Sequence, residues 1–120
     1  MIAVIFEVEL DAKSGQRYFD LAAGLRDELQ GIDGFLSVER FKSMTTEDRY
    51  VSLSFWRDRA AVEAWYRRPH HRAAQEEGRA GIFRDYRIRV AEVFRDYGMA
   101  AARPVVDRIA SGVDAEGEIK

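Results

Sequence analysis

Hydrophobic periodicity changes character four times along this chain, and the order of the changes leaves few folds open. Residues 2–10 (IAVIFEVEL) are a β-branched apolar run, long enough for a strand and too short for a helix. From about Gln16 to Gln30 the spacing shifts: Tyr18, Leu21, Leu25 and Leu29, with Ala22 beside them, recur on one side of a helix while Arg26, Asp27 and Glu28 fall on the other. Ser14 is placed to cap that helix, and Gly31 and Gly34 bracket its exit, where a positive φ is commonly needed. Residues 35–42 and 50–56 then read as two strands joined across the polar stretch Ser43 to Asp48. Asp58 caps a helix from Arg59 to about Arg68, Pro69 opens a second helical piece from His70 to about Gly78, and Phe83 to Tyr97 alternates as a long last strand.

Strand, helix, strand, strand, helix, strand, joined by right-handed crossovers, is most economically an α+β fold of ferredoxin-like βαββαβ type. Two helices cover only one face of such a sheet. Yet Tyr86, Ile88, Val90 and Phe94 share one face of the last strand while Ala91 and Val93 share the other with Arg87 and Arg89. On the third strand Val51, Leu53 and Phe55 oppose Tyr50, Ser52, Ser54 and Trp56. A sheet with bulky groups on both faces and helices for one calls for a second sheet, so the expected assembly is a homodimer, a dimeric α+β barrel. Residues 1–97 form the expected domain. Residues 98–120 form a tail, with a short amphipathic segment at Pro104 to Ile109 and a polar end.

A chain of 120 residues with 47% hydrophobic content suits one domain with a real core. Its 19 basic and 21 acidic residues leave a net charge of −2 without any block of one sign, so neither nucleic acid nor an anionic membrane is an expected partner. The absence of cysteine removes disulfides, thiolate nucleophiles and thiolate metal sites together. The apolar start meets Glu7 at once without a basic leader, which argues against a signal peptide, and no apolar run approaches the roughly 20 residues of a membrane helix. The expectation is a soluble cytoplasmic protein.

Few residues carry chemistry. His70 and His71, the only histidines, are adjacent and so point about 100° apart on a helix, which disfavours shared metal binding. One histidine near neutral pKa can remove a phenolic proton; the plainer reading is a helix-terminal imidazole satisfied by backbone or water. Trp65 suits pocket lining and core equally, and Trp56 suits packing. Arg87 and Arg89 can hold a phenolate or carboxylate, or simply pair with Glu39 or Asp85 at a strand edge. Glu7 and Glu9 share a strand face, where ion-paired glutamates are commoner than acid–base pairs. Gly78 to Gly81 has no phosphate-loop pattern, and there is no Ser–His–Asp order.

The stretch Tyr50 to Asp58, followed by Ala60-Ala61-Val62-Glu63-Ala64-Trp65 and Pro69-His70-His71-Arg72-Ala73-Ala74-Gln75, places a tryptophan and an acidic cap before an Ala-rich helix, then a second tryptophan and histidine. This layout resembles the antibiotic biosynthesis monooxygenase family of dimeric α+β barrels, over roughly residues 2–97. In the quinol-type branch a helix tryptophan lines a pocket, matched by Trp65. A later aromatic or histidine is matched by His70 or His71, and a basic group of the last strand by Arg87 or Arg89. An asparagine often found one turn before that tryptophan is replaced by Ala61. In the haem-degrading branch the corresponding positions hold Glu7, Trp65 and Gln75, and a glutamine cannot serve haem iron as an imidazole does.

The resemblance implies a cofactor-independent monooxygenase, without flavin, haem or metal, that oxidises a small aromatic or quinol-like compound with molecular oxygen. His70, His71 and Trp65 are its expected catalytic residues, and Arg87, Arg89, Phe55 and Tyr86 its expected substrate contacts. The rival readings are a non-catalytic small-molecule-binding dimer, which Ala61 favours, and haem binding through His70 or His71.

Overall fold

The computed structural model describes residues 1–13, 15–77 and 81–99, except for the side chains of His70, His71 and Gln75. Seven elements follow in the order β1 (Ile2–Leu10), α1 (Gly15–Gln30), β2 (Phe35–Lys42), β3 (Arg49–Trp56), α2 (Arg59–Tyr66), α3 (Pro69–Glu77) and β4 (Phe83–Glu92). The strands form one antiparallel sheet in the order β2-β3-β1-β4. This is the ferredoxin-like α+β fold that the order of hydrophobic patterns implies. Ser14, the expected cap of α1, lies outside the described residues, as does nearly all of the expected tail.

Central β1 is apolar because it has a strand on each side and helices over one face. Its Ile2, Val8 and Leu10 are buried, while the alternate Ile5, Glu7 and Glu9 point to the open face. Register carries the pattern outward. Ser52, Ser54 and Trp56 of β3 lie on the helix side with Phe6, Val4 and Ile2, and Tyr86, Ile88 and Val90 of β4 join them. Asp58 caps α2 as its position implies, with Oδ1 accepting from the Ala61 amide at 3.0 Å. That bond, with the Arg57 guanidinium alongside, holds the Asp58 carboxyl below the usual range.

Three boundaries differ from the sequence expectation, each for a local reason. The last strand ends at Glu92 rather than Tyr97, because Glu92 already faces Ile2 at the start of β1 and Val93 donates to the Met1 carbonyl at 2.9 Å. Among the described residues the β1–β4 ladder stops at that pair. The second helical stretch is broken earlier, α2 closing at Tyr66 and α3 opening at Pro69, whose missing N–H is harmless in a first turn. At the exit of α1 the positive φ falls on Gly34 alone (93°). Gly31 instead tightens the last turn, donating to the Glu28 carbonyl at 3.1 Å.

One irregularity redirects a whole edge. Phe35 pairs with Trp56 but Ser37 pairs with Phe55, so Leu36 is an extra residue, a bulge in β2. Past it the alternation is inverted, and Val38 and Arg40 sit on the helix side opposite Ser54 and Ser52.

Candidate active site

Between helices and sheet the apolar interior is divided. One cluster gathers Ile2, Ile32, Trp56, Ala61, Val62 and Trp65; another gathers Val8, Leu10, Tyr18 and Ile82. Between them lies a cavity of about 170 Å³, lined from the first side by Val4, Leu25, Leu29, Trp56, Trp65 and Tyr66 and from the second by Phe6, Tyr18, Leu21 and Phe83. A core of this size would ordinarily close on itself. Here large aromatic groups hold it open: Trp56 and Trp65 sit 6.4 Å apart between ring centres at one end, and Phe6, Tyr18, Phe83 and Tyr86 form a mesh of tilted and edge-on rings at the other.

The polar inventory of the lining is short. Ser52 and Ser54 give hydroxyls, Ser54 Oγ accepting from Trp56 Nε1 at 2.9 Å. Tyr18 and Tyr66 have their phenols pushed above the ordinary value by burial, with Arg40 partly offsetting the effect at Tyr18 and Glu63 adding to it at Tyr66. Both therefore stay protonated at neutral pH and remain hydrogen-bond donors. Among the described residues of the lining there is no Asp or Glu, and Arg40 is the one formal charge. Its guanidinium carbon lies 5.9 Å from the Tyr18 ring centre, and its Nε is buried without a hydrogen-bond partner. Arg40 is not among the residues the sequence singles out: strict alternation through residues 35–42 would put it on the face opposite Phe35, and the bulge at Leu36 turns it inward.

The structure places the expected site residues on two sides of the sheet. Trp65, 8% exposed, and Tyr86, 38% exposed on edge strand β4, both line the cavity. Trp56, expected only to pack, does both: it is 1% exposed and forms part of the wall. Arg87, Arg89 and Phe55 point to the open face and are not brought together with the cavity of their own subunit. There Arg89 pairs with Glu7 at 3.1 Å, and Arg49 approaches both Glu7 (3.3 Å) and Glu9 (3.7 Å), so these glutamates are ion-paired. The side chains of His70 and His71 lie outside the described residues; their backbone opens α3, one turn before the lining residue Ala74. The far end of α3 is tied to α1 by Glu77, which accepts from Arg17 Nε and, at 3.1 Å, from Nη2. That hydrogen bonding holds the Glu77 carboxyl below its ordinary range. Among the described residues no three His, Asp or Glu side chains converge as a metal site, and no helix is long and apolar enough to cross a membrane.

A helix-roofed, four-stranded antiparallel sheet with an aromatic cavity beneath its helices places the chain among ferredoxin-like α+β domains. Residues 1–77 match the model of the antibiotic biosynthesis monooxygenase family, and the chain belongs to that family. Jasmonate monooxygenase ABM of Pyricularia oryzae is 42% identical over 93 residues, 78% of this chain but 43% of that protein, so the present chain spans less than half of that relative. The uncharacterized protein YqjZ of Bacillus subtilis is 36% identical over 93 residues, covering 78% of this chain and 79% of that one. The same fold occurs in a putative antibiotic biosynthesis monooxygenase from Deinococcus radiodurans (TM-score 0.74, 13% identity, covering 82% of this chain and 98% of that one). It occurs again in SnoaB, a cofactor-independent oxygenase from Streptomyces nogalater (TM-score 0.69, 12% identity, 79% and 94%).

Proposed function

We propose that residues 1–97 act as a cofactor-independent monooxygenase that oxidises a small aromatic or quinol-like compound with molecular oxygen. The observation that carries this reading is the aromatic-walled cavity set between two halves of the core, with Trp65 in its wall and the start of α3 beside it. Such a space desolvates a planar substrate and packs its faces against rings. A histidine of α3, His70 or His71, takes the phenolic proton. The resulting anion is electron-rich enough to pass one electron to oxygen. Substrate radical and superoxide then combine at a ring carbon, and the peroxide loses water to leave a carbonyl. One oxygen atom enters the product, and the other leaves in water with two substrate hydrogens, so no external reductant is consumed.

The assay is oxygen uptake by a metal-free sample offered substituted hydroquinones. Trp65→Phe should lower turnover about tenfold, and a double His70→Ala/His71→Ala variant roughly 100-fold, the scale of losing a positioned base. Full turnover in both variants would remove the residue assignment. Ala61, buried in the core where the family often has an asparagine, favours a second reading, a ligand-binding domain without turnover. Binding without any oxygen uptake is the outcome that selects it.

The active assembly in this proposal is a homodimer. The open face of the sheet carries Ile5, Leu53 and Phe55 toward one end and the Glu7–Arg49–Arg89 charge network toward the other, with Phe41 44% exposed at the edge. Two such faces meeting would enclose Arg87, Arg89 and Phe55 between the sheets. Sedimentation at micromolar concentration should return twice the mass of one chain, and a Leu53→Glu variant should return one. A wild-type monomer at that concentration is incompatible with this assembly.

A further inference from the structure

We propose that Arg40 is the anion anchor of the cavity, and that the ligands it admits carry one deprotonated oxygen group, a carboxylate or a phenolate, on an otherwise apolar body. The proposal deepens the oxygenase reading and rests on it for the chemistry, while the binding selectivity is measurable without turnover. Three features converge. Arg40 is the one charged residue among the described lining, with no carboxylate beside it there. Its Nε is buried and unpartnered, a donor taken out of water with nothing to accept from it. The groups around it are uncharged hydroxyls, the Tyr18 phenol on α1 and the Ser52 side chain directly across the β2–β3 ladder, neither of which balances its charge.

The polarity of the cavity gives the ligand a direction. Arg40 stands opposite Ser52, and Trp56 is four residues further along β3, about 13 Å away at the usual strand rise. A molecule whose anionic oxygen meets the guanidinium therefore lays its apolar part toward Trp56 and Trp65. A guanidinium offers a carboxylate two parallel hydrogen bonds and a phenolate one, and in an apolar surround either is worth far more than in water. A neutral molecule of the same shape would leave Arg40 uncompensated, so rejection of neutral isosteres follows from the same contact.

The test uses the full chain with 4-phenylbutanoate and its neutral isostere 4-phenylbutanamide, read by quenching of the two tryptophans, both of which line the cavity. The wild type should bind the carboxylate roughly ten- to 100-fold more tightly than the amide. In Arg40→Gln the ratio should fall to within about twofold, in Arg40→Lys it should recover in part, and in Arg26→Gln, an exposed arginine of α1, it should be unchanged. The wild-type ratio needs no variant, so loss of folding in Arg40→Gln leaves the proposal open to refutation. Equal binding of both compounds, no binding of either, or a ratio that persists in a folded Arg40→Gln overturns it. Selective binding without oxygen uptake from any hydroquinone upholds the anchor and removes the oxygenase reading instead.

Discussion

Trp56→Ala is expected to cost about 3–5 kcal/mol, a large part of the roughly 5–15 kcal/mol that holds a domain of this size together. Trp56 is the largest fully buried side chain and sits where three strands meet: it pairs with Ile2 on β1 and Phe35 on β2. Its ring is edge-on to Phe35 at 5.1 Å and tilted against Trp65 at 6.4 Å. Truncation removes both contacts and joins the space left behind to the cavity, so neighbours cannot close over it without collapsing the site. Trp56→Phe separates packing from hydrogen bonding. It keeps most of the apolar volume while removing the Nε1–H that donates to Ser54 Oγ, a hydrogen-bond loss on the order of 1 kcal/mol beside the smaller ring. Urea unfolding followed by far-UV circular dichroism should therefore rank wild type, Trp56→Phe and Trp56→Ala in that order, with the alanine midpoint far below the other two. Alanine and phenylalanine variants of equal stability would mean that the indole is not part of the core.

That Trp56 serves both roles shows where reading by sequence succeeds and where it stops. Local patterns were legible. The run from Ile2 to Leu10 is long enough for a strand and too short for a helix, and Asp58 announces α2 because a carboxylate just before an Ala-rich run can satisfy a free amide. Alternation correctly put Ser52, Ser54 and Trp56 on one face and Val51, Leu53 and Phe55 on the other. What alternation cannot see is an inserted residue. Leu36 looks like any other strand position, and nothing in FLSVERFK states that it goes unpaired; the partner strand decides that. The inward turn of Arg40, the one charge in the described cavity wall, follows from that unpaired residue. The end of β4 depends on pairing in the same way: the residues up to Tyr97 are adequate strand formers, yet the β1–β4 ladder runs only as far as Glu92 opposite Ile2. Arg87 and Arg89 were placed on the right strand face; that this face turns away from the helix-covered cavity is a property of the three-dimensional layering.

Gly34→Ala is expected to destabilise the chain by roughly 2–5 kcal/mol, combining the cost of about 1–2 kcal/mol for a left-handed residue with a steric overlap of about 1–3 kcal/mol. Gly34 turns the chain from α1 into β2 at φ 93°, and a Cβ there would stand 2.7 Å from the Ala61 Cβ and 3.3 Å from Arg57 Nη2. Neither neighbour yields easily. The Gly34 carbonyl accepts from the Arg57 amide at 2.7 Å, and the Arg57 guanidinium grips Asp33 through bonds of 3.1 and 3.0 Å. Ala61, 4% exposed, is fixed by the hydrogen bond its amide donates to Asp58 Oδ1 and lies one turn before Trp65 on α2. Relief of the overlap thus requires α2 to shift, and Trp65 moves with it into or out of the cavity. A double variant with Ala61→Gly distinguishes the two costs. It removes the overlap but keeps the left-handed alanine and adds about 1 kcal/mol of helix-interior glycine, so Ala61→Gly should be less damaging in the Gly34→Ala background than in the wild type. Strictly additive effects on the urea midpoint would show that the Gly34–Ala61 approach carries no strain, and that the seat of α2, and with it the position of Trp65, is set by other contacts.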